Sequence, residues 1–568
     1  MPMNPSDDMR RGSSRRTVWA LALIFLVSYA LSFPPFGLWW MIFVAPAAFA
    51  LMVILPIRAR SMLLPVFVSS CLLWGWFHWW ISGVTSAGYV PMVVYLAAVT
   101  TLSAACLRVL VGGRASLPLW LALPLTLTGI DYLRGLVIFD GYPWFLHAQP
   151  LIDFPQLAAL ARVGGVWLPG LVALTFSGCL ASWCLCRMRP APKSARQVPG
   201  VVTICLVILV CWHALADDRA EFRLASERPR AAILLVQTDL DSDNKVGWSY
   251  ERQLEDVPAF IRLTFAGVDQ ARAAGEPLDL ITWPETMLPS VGFERGDQFS
   301  LAIEDVVRRL DVPMLVGSPS YLGIRQESDG AWGWESHYNS AYLVGPDGPP
   351  YARVDKVFLT PFGETMPYIS NWEWLEQRML ALGAEGMRFD LDAATQIERV
   401  VFPLRSDPEV RVRAAVPICF EDTVAPVVRE MVWQDGRRVA DLLINLSNDG
   451  WFGSDDSIRE MHELCARWRS VENETWLVRT VNTGRSSAIA PDGRVDRLIA
   501  VGSRASGTMR VEVEVPGDAW SSGRPPYAVI GEAFGAISCW LAILLVVFRW
   551  VWSLVSRYTS THPEGESP

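Results

Sequence analysis

The sequence predicts a polytopic α-helical membrane part of about eight spans joined to an extracytoplasmic α/β domain. Three observations lead there. Of 568 residues 51% are hydrophobic and 26 are Trp, which suits a membrane protein better than a large soluble enzyme. The apolar residues gather in runs long enough to cross a bilayer, seven of them before residue 217 and one after 529. Between these, roughly 217–528, short apolar stretches alternate with amphipathic ones and carry most of the acids behind the net charge of -9. The expected division is a membrane domain over 1–216, a catalytic domain over 217–528, and a final span with its tail over 529–568.

The runs centre on 17–33, 38–56, 62–82, 88–111, 117–138, 157–186, 200–216 and 530–555. The basic segment with Arg10, Arg11, Arg15 and Arg16 is followed by no small-residue cleavage site, so the first run reads as an uncleaved helix. The 157–186 run is overlong, and its start reads as an interfacial or re-entrant piece. Alternate loops hold Arg58 and Arg60, then Arg108 and Arg114, then Arg187, Arg189, Lys193 and Arg196, while the loops near 34–37, 83–87 and 139–156 hold no Lys or Arg. The positive-inside rule then puts both termini in the cytoplasm and the 217–528 domain outside it. Asp131 and Arg134, three residues apart near the fifth span, read as a mutual ion pair. Trp74, Trp76, Trp79 and Trp80 read as an interfacial aromatic belt, with His78 hydrogen-bonded among them.

Expected strands of the polar domain include 231–236, 279–283, 314–317, 339–344, 411–418, 442–446, 488–490 and 508–515, with helices over 257–274 and 301–310. Three of the expected strands end on reactive groups. Leu278 to Pro284 leads into Glu285; Tyr351 to Phe358 contains Lys356; Val412 to Ile418 delivers Cys419. Taken alone, each is an ordinary strand-end residue, and a lone Cys is most simply a small core thiol. Together they are a base, a cation and a thiol. The carboxylate can take the thiol proton, the ammonium can stabilise an oxyanion, and the thiolate can attack a carbonyl. Of the 10 cysteines only Cys419 and Cys465 fall in the polar domain, which is no disulfide framework. There is no phosphate loop, no GxGxxG and no Cys/His metal spacing, so neither cofactor nor metal is expected, and the acidic balance argues against nucleic acid.

Trp283-Pro284-Glu285, Lys356 with Pro361-Phe362-Gly363-Glu364, and Cys419-Phe420-Glu421 resemble the Glu-Lys-Cys triad of the nitrilase superfamily, most closely its membrane-embedded branch, the apolipoprotein N-acyltransferase family. Asn448-Asp449-Gly450-Trp451-Phe452-Gly453 resembles that family's Asn-Asp-Ala-Trp-Phe-Gly. His462, Arg467, Arg469, Glu472, Arg479 and Asn482-Thr483-Gly484 match the block that follows. Gly141-Tyr142-Pro143-Trp144 also resembles the family, with His147 where a Gly is usual.

The resemblance implies a multi-pass protein of the bacterial inner membrane whose catalytic domain, a nitrilase-like αββα sandwich, is periplasmic. It also implies transfer of an acyl chain from a phospholipid to the amine of a lipoprotein's diacylated N-terminal cysteine. Glu285, Lys356 and Cys419 are implied as catalytic and Glu364 and Glu421 as supporting acids. Phe420 stands where Tyr is common, so any role of that hydroxyl is absent. Trp248 and Trp451 are implied as substrate-binding. A segment over 367–382, rich in Trp372, Trp374 and Leu375, reads as an interfacial loop or an amphipathic core helix. The rival readings are a membrane-tethered amidohydrolase, which shares the triad but sends the acyl group to water, and a non-catalytic membrane scaffold.

Overall fold

The computed structural model describes residues 5–112, 116–188, 197–210, 228–240, 248–326, 332–349, 351–368, 374, 391–500, 502–516 and 524–561. Among them six helices are long and apolar enough to cross a membrane: 15–32, 59–77, 86–111, 119–140, 167–187 and 533–553. Two apolar helices are shorter, Trp39–Val53 and Gln197–Val210. The 38–56 run is thus a 3₁₀ turn, Trp39–Phe43, leading into a ten-residue helix, Val44–Val53. The 157–186 run does not span as one piece. Gly165, at φ 60°, interrupts it, and the long helix starts at Trp167. Arg114, Arg189, Lys193 and Arg196, the 216/217 boundary, and most of 367–382 lie outside the described residues.

The expected Asp131–Arg134 ion pair forms, at 3.7 Å, and Asp131 has a closer partner in His147, whose backbone N–H and Nδ1 lie 3.0 and 2.8 Å from Asp131 Oδ2. The Arg134 guanidinium also donates to the carbonyls of Tyr142, Trp144 and Phe145. One membrane expectation is corrected: Trp74 does not join an exposed belt but is buried and donates to Thr100, while Trp76 and Trp79 are exposed. His78 is buried between the Trp74 carbonyl and the Tyr142 hydroxyl, each 2.9 Å away.

The strands run in chain order as β1 Arg230–Gln237, β2 Leu280–Trp283, β3 Met314–Leu322, β4 Arg325–Gln326, β5 Trp332–Gly333, β6 Ser336–Val344, β7 Ala352–Asp355 and β8 Val400–Pro403. They continue as β9 Arg411–Ala415, β10 Trp433–Gln434, β11 Arg437–Arg438, β12 Leu442–Ser447, β13 Leu477–Val481, β14 Ser487–Ile489, β15 Val495–Leu498 and β16 Gly507–Glu514. Two six-stranded sheets result, ordered β16-β1-β2-β3-β6-β7 and β15-β14-β13-β12-β9-β8. β1, β2 and β3 are parallel, as are β9, β12 and β13, which brings their C-terminal ends to one edge of each sheet.

The sheets face each other through Ile233, Leu235, Leu280 and Leu315 of one and Val412, Ala414, Leu442 and Ile444 of the other, all fully or almost fully buried. Helices Tyr250–Ala273 and Gln298–Leu310 cover the outer face of the first sheet, and Ala425–Val432 with Asp456–Asn473 that of the second. The result is an α-β-β-α stack. β9 is shorter than the sequence suggests: it stops at Ala415 because Pro417 cannot donate to the ladder, and pairing resumes only at an Ile418–Leu446 bridge.

Helix Asp456–Asn473 belongs to both halves of the molecule. Ala466 packs on the second sheet, whereas Ile458, Met461, Leu464, Trp468 and Val471 share one apolar core with the membrane helices. Polar ties reinforce the junction. The Trp468 indole donates to the Gln149 carbonyl at 3.2 Å, the Val166 N–H donates to Glu472 at 2.8 Å, and Arg467 pairs with Asp153 at 2.7 Å.

Candidate active site

Glu285, Lys356 and Cys419 all follow strands at the same end of the sandwich. Glu285 stands two residues beyond β2, buried at 2% exposure, and accepts a 2.8 Å hydrogen bond from the Asn339 amide on β6. The backbone there lies so close to β3 that a Cβ on Gly317 would fall 2.7 Å from the Glu285 Cα, which requires glycine at that position. Lys356 directly follows β7, and its backbone N–H donates to the Asn339 carbonyl at 2.9 Å. Its side chain is fully buried, with Nζ 2.6 Å from Glu364 Oε2 and 3.4 Å from Thr360 Oγ1. Cys419 begins a 3₁₀ turn, Cys419–Thr423, with φ at 53°, a left-handed conformation uncommon for a side-chain-bearing residue. Its carbonyl accepts from the Asn445 amide at 3.1 Å, which fixes the turn to β12.

Two glutamates hold these pieces together. The fully buried Glu421 accepts from the N–H groups of Val357 and Phe358 through one oxygen, each at 2.8 Å, and from Ile418 through the other at 2.7 Å. It therefore pins the chain just after Lys356 to the chain just before Cys419. Burial pushes its carboxyl up to about 7, against the pull of Lys356 and the three N–H groups. Glu364 accepts from Lys356 and from the Thr360 N–H. Burial raises its proton affinity, but the Lys356 charge outweighs that and holds it below the usual carboxylate range. For Lys356, burial disfavours the ammonium, yet Glu364 first, then Cys419, Glu285 and Glu421, reverse this and hold it charged well above the ordinary lysine range. That all four act on one ammonium marks the cluster as a unit.

Phe420 is buried and stacks between Phe358 and Trp144, with ring centroids 6.4 Å away on each side. Trp144 comes from the membrane part, so the turn that carries the thiol rests directly on it. Trp451 is half-buried in the turn Asp449–Phe452, whose Phe452 packs against Trp80 and Trp144. Trp248 packs in the outer helical layer of the first sheet, its indole donating to Asp256 at 2.8 Å.

Sequence reasoning missed Asn339, which joins Glu285 to Lys356 and lies 3.4 Å from Glu364. The available signal was an amide opening the apolar strand Ala341–Val344, but only β6 pairing shows which neighbours it meets. Among the described residues no group of three or more His, Cys, Asp or Glu side chains is arranged to hold a metal ion.

Residues 27–179 match the family model of the Apolipoprotein N-acyltransferase N-terminal domain, and residues 235–514 match that of Carbon-nitrogen hydrolase. The apolipoprotein N-acyltransferase of Geobacter metallireducens is 28% identical over 423 residues, 72% of each chain. That of Chlorobaculum tepidum is 30% identical over 375 residues, 64% of this chain and 66% of its own. That of Bradyrhizobium diazoefficiens is 26% identical over 84% of this chain and 81% of its own. With a nitrilase-type α/β part and apolar helices ahead of it, matched in order by both models, the chain belongs to the apolipoprotein N-acyltransferase family.

Proposed function

We propose that the protein is an acyltransferase that moves an acyl chain from a phospholipid to the N-terminal amine of diacylated lipoproteins. Its membrane domain is assigned to 1–216 and 529–568 and its catalytic domain, on the periplasmic side of the bacterial inner membrane, to 217–528. The observation that carries the site assignment is that Asn339 ties Glu285 to the buried Lys356, while Glu421 ties the chain just after Lys356 to the chain just before Cys419. Glu285 takes the Cys419 proton, and the thiolate attacks an ester carbonyl of the phospholipid. Lys356 stabilises the resulting oxyanion. Collapse forms the thioester, and Glu285 returns the proton to the departing lysophospholipid oxygen. The lipoprotein amine then attacks the thioester, giving its proton to Glu285. The amide forms, the Cys419 thiolate leaves, and it recovers the proton.

Placing this chemistry against the membrane part has a physical reason. Moving an acyl chain through water costs about 0.8 kcal/mol per CH₂, which is prohibitive for a long chain. The contact of Phe420 with Trp144 supports a reaction centre at the bilayer surface.

The test is intact-mass analysis of the purified protein in phospholipid beside Cys419→Ala. A gain of one acyl chain on the wild type only, discharged by a diacylglyceryl-cysteine peptide that becomes N-acylated, is the expected result. Discharge to water alone would make the protein a hydrolase, and no adduct from any phospholipid would leave only a scaffold.

A further inference from the structure

Between the nucleophile turn and the membrane part lies a buried ionic cluster that the reaction scheme above does not use. His462, on helix Asp456–Asn473, is 2% exposed. Its Nε2 is 2.9 Å from Asp422 Oδ1 and its Nδ1 is 2.8 Å from Asp449 Oδ1. Both nitrogens face carboxylate oxygens, so both must carry protons, and the ring is an imidazolium. Asp422 belongs to the turn that starts at Cys419, and Asp449 to the turn Asp449–Phe452. Trp144 of the membrane part lies over the ring at 5.4 Å between centroids, and Phe452 meets it at 6.1 Å.

We propose that His462, as an imidazolium shared by Asp422 and Asp449, is a positioning residue for Cys419 that locks the nucleophile turn to the 449–452 turn. Cys419 needs such a lock because its φ of 53° is not self-sustaining. The two carboxylates are brought to one point where they would otherwise repel each other. Losing one of the ring's two protons removes the positive charge between them and leaves that repulsion opposed by Arg479, whose Nε is 3.0 Å from Asp422 Oδ2, and by the Ser447 hydroxyl, which donates to Asp449 Oδ1 at 3.0 Å.

The charged and titratable surroundings are few. From β13 comes Arg479, with Glu463 acting on it in turn. On His462's own helix Arg469 donates to the Thr423 carbonyl at 3.3 Å, and the Cys465 thiol is held neutral by burial. Trp144 and Phe452 bring no charge. Burial works against the imidazolium, but Asp449 and Asp422 raise its proton affinity to about 9.

This inference rests on Cys419 being the nucleophile, and the experiment separates the two. The rate of Cys419 acylation by phospholipid is followed by intact mass from pH 7 to 10, beside its alkylation by iodoacetamide. In the wild type, acylation is expected to fall at least tenfold above about pH 9 while alkylation does not fall. Lys356 does not account for that limb, because its ammonium persists to higher pH. Asp449→Asn keeps a hydrogen-bond acceptor but removes one charge, so its limb is expected at lower pH. A purely structural role would leave the limb where it was. His462→Gln is expected to lower the acylation rate at least tenfold at pH 7. A wild type with no limb up to pH 10, or Asp449→Asn with an unmoved limb, overturns the role of His462. Absence of any adduct on Cys419 at every pH overturns the nucleophile assignment instead.

Discussion

Replacing Glu364 by Gln tests whether the charge state of Lys356 is built by its neighbours. The Lys356 side chain has no exposure, so water contributes nothing to its ammonium, and Glu364 at 2.6 Å is its largest favourable partner. Removing one member of a buried ion pair costs about 3–5 kcal/mol. Glu364's side chain is 16% exposed, so solvent screens the pair and the lower end applies. About 3 kcal/mol corresponds to roughly a 10²-fold shift of Lys356 toward its neutral form. Because the wild-type ammonium is held well above the ordinary lysine range, a shift of that size leaves Lys356 charged at neutral pH, and the cost falls on folding instead: Glu364→Gln is expected to lower unfolding stability by about 3 kcal/mol. The assay is chemical denaturation of the two proteins at pH 7. A Glu364→Gln protein with the wild-type unfolding stability would show that Lys356 does not depend on this carboxylate, and the electrostatic account of the site would fail.

Other perturbations follow from the same contacts. Glu421→Ala leaves the N–H groups of Ile418, Val357 and Phe358 without their acceptor and is expected to lower unfolding stability by about 3 kcal/mol or more, read by chemical denaturation. Asn339→Leu removes the 2.8 Å donor to Glu285, a charged hydrogen bond worth about 1.5–3 kcal/mol, so acylation is expected to slow by roughly 10- to 10²-fold with the melting temperature shifting by only a few degrees. Phe420→Ala empties the slot between Phe358 and Trp144 and is expected to cost about 3 kcal/mol, measured the same way as Glu421→Ala. Stability should also decline with pH in two steps. The raised carboxyl of Glu421 contributes fully below about 4.5 and is lost through about 7, and the raised imidazole of His462 contributes fully below 6.5 and is lost through about 9. A melting temperature constant from pH 5 to 9 would contradict both signs.

Much of the architecture was legible because it depends on local pattern. Apolar runs mark the long helices, and β1, β3, β6 and β12 appear at apolar stretches of four to six residues, extended at their ends by hydrogen-bonded pairing. The runs misled where length alone was the guide. Gly165 divides the 157–186 run, and Pro417 ends β9 early, both being backbone effects that hydropathy does not register. β8, β13 and β15 are not among the strands the sequence predicts: β13 is apolar but broken by Arg479, and β15 is mostly polar and exposed.

By itself the sequence determined which groups are present, a thiol, a lysine and several carboxylates following apolar strands, together with an ordered series of motifs that carries the family. Only the tertiary structure decided which of those groups meet. Glu285 and Lys356 are joined by Asn339, and Lys356 and Cys419 by Glu421, through hydrogen bonds between residues 54 and 64 positions apart. Helix Asp456–Asn473 shows the same division: its charged residues suggest an exposed surface helix, yet His462, Arg469 and Glu472 are buried. The reason is that a charge is assigned to water or to the interior by the partners it finds there. Those partners, Asp422, Asp449 and the Val166 N–H, come from distant turns and from the membrane part.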